Sequence, residues 1–388
     1  MNDDAKKLRT RLVQAGRAQR GAEGAVNPPV QRASSLLFDS VEALYADDRR
    51  TYGLDGMQVH DAVRDAVNAI EGGAGASLVP SGLAACTLAL LTVLKAGDEV
   101  LVTDSVYGPT RRFCDGLCAR LGVTTRYHDP RIGARIADLI TAKTRIIWLE
   151  SPGSLTLEVQ DVPAIAAAAA KAGVLTAIDN TYGAGVLFKP FDHGVDLSIQ
   201  ALTKYQGGHA DVLAGAIIAR DKGMAALVKE TVKALGVGPG SAEDAYLTLR
   251  GLRTMTLRMQ AQAESAMIVA DWLRAHPLVA EVLHPALPGA RDHALFARDF
   301  TGGAGLFSFV LKAGVSAAAT DALCENRALF GLGYSWGGYE SLILPCDRQV
   351  KRTATPWRAE GPLVRLSIGL EDPADLIADL AAGLSELG

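Results

Sequence analysis

The hydrophobic positions of this chain change their spacing as the sequence advances. From Asp61 the pattern becomes regular: "DAVRDAVNAIE" repeats its apolar residues at helical spacing and stops at Gly72-Gly73, which predicts a helix over 61–71. "ASLV" reads as a buried strand, and Pro80-Ser81-Gly82 is a turn that opens the helix "LAACTLALLTVLKAG". Further on, "EVLVT", "VTTRYH", "RIIWLE", "VLTAID", "LSIQAL" and "VLAGAIIA" read as strands, with helices at "TRRFCDGLCARLG" and "VPAIAAAAAKAG". These strands are apolar throughout rather than alternating. Strands of that kind, separated by helices, predict a parallel or mixed sheet covered on both faces, an α/β fold.

The first sixty residues lack this order. "GAEGAVNPPVQRASSLLF" is rich in turn formers and ends in a short strand-like piece, so residues 1–60 are expected to form an arm that contacts a neighbouring subunit. Near residue 240 the pattern shifts to one long helical stretch, "AEDAYLTLRGLRTMTLRMQAQAESAMIVADWLRAH". A smaller α+β region follows, with strands near "GLFSFVL" and "LVRLSIGL". The expected division is a large domain over 61–250 and a small C-terminal domain over 251–388.

Composition narrows the function classes. Of 388 residues, 49% are hydrophobic and 21% charged, ample for a core, and the formal net charge is −4 with no basic block. That argues against nucleic acid or an anionic membrane as partner. The longest apolar run, around "GLAACTLALLTVL", is too short to span a bilayer. The charged start "MNDDAKKLRTRLVQAGR" has no apolar leader segment, which points to the cytoplasm. The five scattered cysteines, Cys86, Cys114, Cys118, Cys324 and Cys346, read as free thiols. Cys114 and Cys118 have no second pair at zinc spacing, so no metal is expected.

The candidate chemistry lies where strands end. In sheets of this class ligands sit beyond the carboxyl ends of the strands. There the chain places Glu150-Ser151-Pro152, Asp179-Asn180-Thr181, Thr203-Lys204 and, after "EVLVTDSV", Tyr107. Ser81-Gly82 precedes a helix N-terminus, where free N–H groups and the helix dipole favour an anion such as phosphate. Each signal alone has an ordinary reading: a turn aspartate, a solvated lysine, a core tyrosine. Together, a phosphate seat, an aromatic ring, a carboxylate and a lysine are what pyridoxal phosphate (PLP) requires. The lysine binds the aldehyde as a Schiff base, and the carboxylate keeps the pyridine nitrogen protonated. Burial lowers a lysine pKa and makes it nucleophile and proton carrier. His209 follows Gly207-Gly208 and reads as a turn residue outside the site.

The chain resembles the Cys/Met-metabolism family of PLP-dependent enzymes, from "LLFDSVEAL" to "GLEDPADLIADL". The segments that carry the resemblance are "IEGGAGASLVPSG", "LESPGSLTLEVQDVPAI", "IDNTYGAGVLFKP", "DLSIQALTKY", "HPALPG" and "YSWGGYESL". The last of these favours the family's β-lyases over its γ-synthases and γ-lyases. The resemblance implies fold type I (aspartate aminotransferase-like), with a homotetramer built of active dimers. It also implies β-elimination of L-cystathionine, or of a cysteine S-conjugate, with γ-chemistry, amino-acid racemisation and a non-catalytic binding protein as alternatives. The amino-acid product would feed methionine biosynthesis.

The roles implied are specific. Lys204 forms the Schiff base and takes the Cα proton; Asp179 pairs with the ring nitrogen; Tyr107 stacks on the ring and assists proton transfer near the leaving sulfur. Gly82, Leu83 and Thr203 seat the phosphate, and Tyr52 in "TYGLDG" reaches the phosphate of a neighbouring subunit's cofactor. Arg365 binds the substrate α-carboxylate, with Ser335, Trp336 and Tyr334 beside it. One departure stands out. Two positions after that tyrosine the family carries an arginine that also binds phosphate, and here Leu54 and Asp55 follow Gly53. The lost contact is worth ~1.5–3 kcal/mol. Either Arg49 or Arg50 replaces it, or Leu54 and Asp55 reshape the wall that receives the distal end of the substrate.

Overall fold

The chain builds two sheets, and the order of strands in the first decides where chemistry can occur. The computed structural model describes residues 6–17, 24–46 and 49–387. Parts of the expected arm and of the charged N-terminal stretch therefore lie outside the described residues. The described arm contains helices α1 (Leu8–Gln14) and α2 (Val41–Leu44), more order than its turn formers predict.

Helix α3 (Gln58–Glu71) starts three residues before the predicted Asp61. His60 explains the earlier start, because its Nδ1 accepts the Met57 N–H at 2.8 Å and caps the end without a Ser, Thr or Asp signal. There follow β1 (Gly75–Val79), α4 (Gly82–Val93), β2 (Glu99–Thr103), α5 (Gly108–Phe113), β3 (Thr124–His128) and β4 (Thr144–Glu150). The helix predicted over "TRRFCDGLCARLG" continues past Phe113 as a wider π turn at Cys114–Cys118. Next come α6 (Val162–Lys171), β5 (Leu175–Asp179), β6 (Leu197–Gln200), β7 (Gly215–Ala219) and α7 (Lys222–Ala234).

These strands form a sheet of order β1-β7-β6-β5-β4-β2-β3, in which β7 runs antiparallel to both neighbours and the other pairings are parallel. All strands but β7 therefore end at one rim. Helices cover both faces. Trp148 of β4 and Ala177 of β5 pack in a core with Cys86, Leu88 and Leu90 of α4, whereas Leu149 and Ile178 face the opposite core with α3 and α6. This alternation assigns the side chains at the strand ends to a face.

The long helical stretch divides into α8 (Ala242–Leu252) and α9 (Met255–Ala275). The backbone of Gln206 and Gly207 lies so close to Gly251 that a Cβ there would collide with both carbonyls. Arg258 then takes the carbonyls of Gly251 and Tyr205, each at 2.8 Å. The helix break thus anchors the chain just after Lys204.

The second sheet follows, from β8 (Val279–Leu283), α10 (His293–Asp299), β9 (Leu306–Leu311), α11 (Ala317–Glu325), β10 (Gly331–Leu332), β11 (Leu342–Pro345), β12 (Leu363–Ser367) and α12 (Pro373–Ser385). Its order is β10-β11-β12-β9-β8. The two sheet regions are joined at Asp104, just before Tyr107. Its buried carboxylate accepts the N–H groups of Thr353, Ala354 and Thr355 at 2.8–3.0 Å and pairs with Arg111. Burial alone would raise its pKa, but these donors outweigh burial and hold it below the usual carboxylate range.

Asp104→Asn is expected to lower unfolding stability by about 2 kcal/mol, because it turns a donor against those N–H groups and leaves Arg111 unpaired. The depressed pKa gives the sign with pH. The stabilisation is complete above the unfolded value of ~3.9 and is lost as pH falls through the lower folded value. Denaturant melts of both proteins should therefore differ at pH 7 and converge in stronger acid. Among the described residues no helix is long and apolar enough to cross a membrane.

Candidate active site

The rim of the first sheet collects most of the candidates. Thr203 and Lys204 follow the end of β6, Asp179 ends β5, Glu150 ends β4, and Tyr107 caps α5 after β2. Pairing of β4 with β5 puts Glu150 opposite Asp179, and pairing of β5 with β6 puts Asp179 opposite Ile199. With side chains alternating along a strand, Glu150 and Asp179 share the face of Trp148 and Ala177, which is the α4 side.

Lys204 sits in a largely dry place. Its Nζ donates to Ser335 Oγ at 2.7 Å and lies 5.4 Å from the centre of the Trp336 ring. Among the described residues no carboxylate lies within ion-pair distance of it. Burial, with the charge of Arg365 adding to it and Asp179 opposing, lowers its pKa to about 8. Asp179 is half-buried. Its Oδ1 accepts the Thr181 N–H at 3.1 Å and hydroxyl at 2.6 Å, and its Oδ2 receives the Cys86 thiol at 3.7 Å. No cationic side chain among the described residues pairs with it directly. Burial raises its pKa, against the bonds from Thr181 and Cys86 and the attraction of Lys204.

Helix α4 supplies an anion seat. The Ser81 side chain accepts Ala84 N–H and its carbonyl accepts Ala85 N–H, so the cap leaves the N–H groups of Gly82 and Leu83 unused. Gly82 is required by packing, since a Cβ would collide with Ala201 just beyond β6. That contact brings the helix end to the start of the lysine segment. Thr203 is placed beside it, but its hydroxyl donates to Ala214 carbonyl at 3.2 Å and accepts Ala214 N–H at 3.1 Å.

The substrate side comes from the second sheet. Arg365 of β12 is half-buried and donates to the Ser335 carbonyl at 2.9 Å; its loss of solvent lowers its pKa from the arginine range. Ser335 has φ of 82°, a left-handed backbone rare for a side-chain-bearing residue, of a kind that costs ~1–3 kcal/mol. In return its carbonyl meets Arg365 and its hydroxyl meets Lys204. Trp336 packs edge-on against Tyr205 at 5.4 Å between ring centres. A cavity of about 530 Å³ opens over Thr203, Tyr334, Ser335 and Trp336, within the range of small-molecule sites. Tyr334 lines it while being 75% exposed.

Tyr52 stands apart on an exposed loop, bridged to Ser35. Arg50 is committed to Asp61 at 2.6 Å, which also holds Arg64, and Asp55 lies 3.6 Å from Lys233. Arg49 is exposed. His209 is a turn residue, its Nδ1 2.8 Å from the Gly207 carbonyl. Sequence reasoning left Cys86 and Glu150 out of the site. The strand-end position of Glu150 was a signal; the thiol of Cys86 carried none.

The donor set fits the expected PLP. It offers two unused N–H groups for a phosphate, a half-buried carboxylate without a paired cation among the described residues, and an amine whose pKa burial has lowered. The lowered pKa predicts how the cofactor-free protein takes up PLP. Only the neutral amine attacks an aldehyde, so the uptake rate should rise with pH and level off above about 8. Stopped-flow absorbance from pH 6.5 to 10 checks this; a rise still steep near pH 10 would show an amine in its ordinary range.

Comparison with known proteins follows the same lines. A sequence model of the family described as Cys/Met metabolism PLP-dependent enzyme matches residues 9–385. The chain is 46% identical to the Escherichia coli K12 cystathionine beta-lyase MetC, over 98% of this chain and 99% of that protein. It is 38% identical to an L-alanine/L-glutamate racemase of Wolbachia pipientis wMel, over 97% and 96%. The crystal structure of cystathionine gamma synthase from Xanthomonas oryzae pv. oryzae, in complex with aminoacrylate and cysteine, aligns with a TM-score of 0.90 at 35% identity, covering 98% of each chain.

Proposed function

The chain belongs to the Cys/Met metabolism PLP-dependent enzyme family and is a carbon–sulfur lyase using PLP, and from that premise we propose that it is a cystathionine β-lyase. The observation that carries the reading is the meeting of Lys204, Ser335 and Arg365, with the amine, hydroxyl and guanidinium joined through one residue of "YSWGGYESL". When bound, PLP supplies an electron sink conjugated with the substrate Cα.

The residues of this chain do the rest. Lys204 would anchor the cofactor, and its Nζ would take the Cα proton of the substrate. A pKa near about 8 keeps that amine within reach of neutrality at working pH. Asp179 would pair with the ring nitrogen and keep it protonated. Gly82 and Leu83 bind the phosphate through N–H groups with Thr203 beside them, and Tyr52 of a neighbouring subunit completes the seat. Arg365 fixes the α-carboxylate by a charge-assisted fork, helped by Ser335, Trp336 and Tyr334. Tyr107 would stack on the ring and pass a proton to the sulfur, which leaves with the electron pair of the Cβ–S bond. With one water consumed, the products would be pyruvate, ammonia and a thiol, which from L-cystathionine is homocysteine. That product places the step in methionine supply, and cysteine S-conjugates would react the same way.

In this reading the first sheet holds the cofactor and the second the substrate carboxylate. Oligomerisation into active dimers and then a tetramer is supported by the described arm, which leaves Leu37, Val41 and Tyr45 more than two-thirds exposed. The five cysteines are free and buried, in keeping with a reducing cytoplasm. The non-catalytic alternative falls with the family assignment.

The test is the carbon product. Purified, PLP-loaded protein given L-cystathionine should release pyruvate and homocysteine. Release of 2-oxobutyrate with cysteine would instead establish the γ-chemistry that the Xanthomonas relative's name favours. Chiral analysis of alanine incubated with the protein reads the racemase alternative, which the Wolbachia relative's name favours.

A further inference from the structure

Glu150 has no part in that mechanism, yet it is a nearly buried carboxyl beside its centre, 9% exposed. Its Oε2 accepts the peptide N–H of Tyr107 at 2.7 Å, across 43 residues of sequence. Its own N–H donates to Gln160 Oε1 at 3.1 Å, which fixes the end of β4. Strand register sets it opposite Asp179 on the same face of the sheet. No Arg or Lys among the described residues forms an ion pair with either carboxyl.

Two desolvated carboxyls side by side do not both ionise at neutral pH. Asp179 receives three donors, from the Thr181 N–H and hydroxyl and from the Cys86 thiol; Glu150 receives the single Tyr107 N–H. The attraction of Lys204 for Asp179 and that of Arg352 for Glu150 are each the weakest influence on their carboxyl, so the hydrogen-bond donors decide between the two. The better-solvated group keeps the charge and the other keeps the proton. In agreement, burial first and the charge of Asp179 second push Glu150 well above the usual carboxylate range.

We propose that Glu150 is a positioning residue: as a neutral acid it holds the Tyr107 backbone, and hence its ring, at the cofactor seat, and it leaves Asp179 as the sole anion facing the ring nitrogen. Tyr107 is then held from two sides, by Glu150 at its own N–H and by the Asp104 junction three residues earlier. The inference rests on the placement of PLP at this rim, and not on which bond of the substrate is broken.

The experiment compares Glu150→Gln and Glu150→Leu in the PLP-loaded protein. Glutamine keeps a neutral acceptor for Tyr107. It should retain kcat within about threefold, and the pH titration of the bound cofactor's absorbance should be unshifted. Leucine removes the acceptor and should lower kcat about 10- to 100-fold, on whichever amino acid the wild type turns over, with KM changed less than about threefold. Difference infrared spectroscopy at pH 7 should show a protonated-carboxyl carbonyl band in the wild type that Glu150→Gln lacks. If the leucine variant does not fold, the infrared band and the glutamine titration still decide. A glutamine variant as impaired as leucine, a shifted titration, a missing infrared band, or a leucine variant equal to wild type would each overturn the proposal. Failure of the wild type to make pyruvate would instead strike the β-lyase reading, because the titration and infrared readouts need no substrate.

Discussion

Lys204→Ala should abolish the visible absorbance that PLP gives the wild-type protein and reduce turnover at least ~10³-fold. Two functions disappear with one amine. The cofactor loses its covalent anchor, and the Cα proton loses its acceptor, which by itself is worth about 10²–10⁴ in rate. The amine is held in place by Ser335 and Trp336, so a water molecule is a poor substitute for it. The substitution should leave the fold intact. It removes a half-buried amine that has no carboxylate at ion-pair distance among the described residues, and its neighbours keep other contacts: Ser335 through its carbonyl to Arg365, Trp336 through Tyr205. Far-ultraviolet circular dichroism therefore accompanies the spectrum and the pyruvate assay. Substantial turnover in the alanine variant would take the reaction away from this lysine.

Asp179→Ala is expected to rank second. Deleting one partner of a desolvated charge pair costs about 3–5 kcal/mol, which at the ring nitrogen corresponds to roughly 10²- to 10⁴-fold in kcat. The carboxylate is suited to that pairing because it is desolvated and lacks a cation among the described residues, so its charge is reserved for a bound one. KM for the amino acid should move little, since Arg365 and Ser335 come from the second sheet and do not touch Asp179. A fall in KM-governed steps with kcat preserved would show that Asp179 is part of the substrate's grip and not of the ring's electronics. The same variant should relieve the like-charge pressure on Glu150.

Much of this site was legible because strands buried on both faces announce themselves as apolar runs and their polar ends stand out. Asp179 after "VLTAI" and Lys204 after "LSIQAL" are both of this kind. The second sheet was less visible. β10 spans only Gly331–Leu332, and β11 ends on a proline, so neither offers a run long enough to read. Helix ends set by tertiary contacts were misjudged for a similar reason. His60 caps α3 with a ring nitrogen, and the break after α8 exists because the lysine segment packs against Gly251.

Thr181 tunes Asp179 from two residues away, but other contacts that tune the chemistry are distant in sequence. Lys204 reaches Ser335 across 131 residues, and the Cys86 thiol reaches Asp179 across 93. Periodicity describes one element at a time and carries no such information. The left-handed backbone of Ser335, which directs one residue toward both the lysine and the arginine, is likewise invisible in "YSWGGY". The Leu54–Asp55 departure is legible, and the structure adds that Arg50 is already held by Asp61, which leaves Arg49 exposed on that loop.

The most direct test is to reduce the PLP-loaded protein with borohydride, digest it, and locate the cofactor by peptide mass spectrometry. The account predicts the label on Lys204, within the segment from Leu197 to Gly208. A label on another lysine, or none, would contradict it.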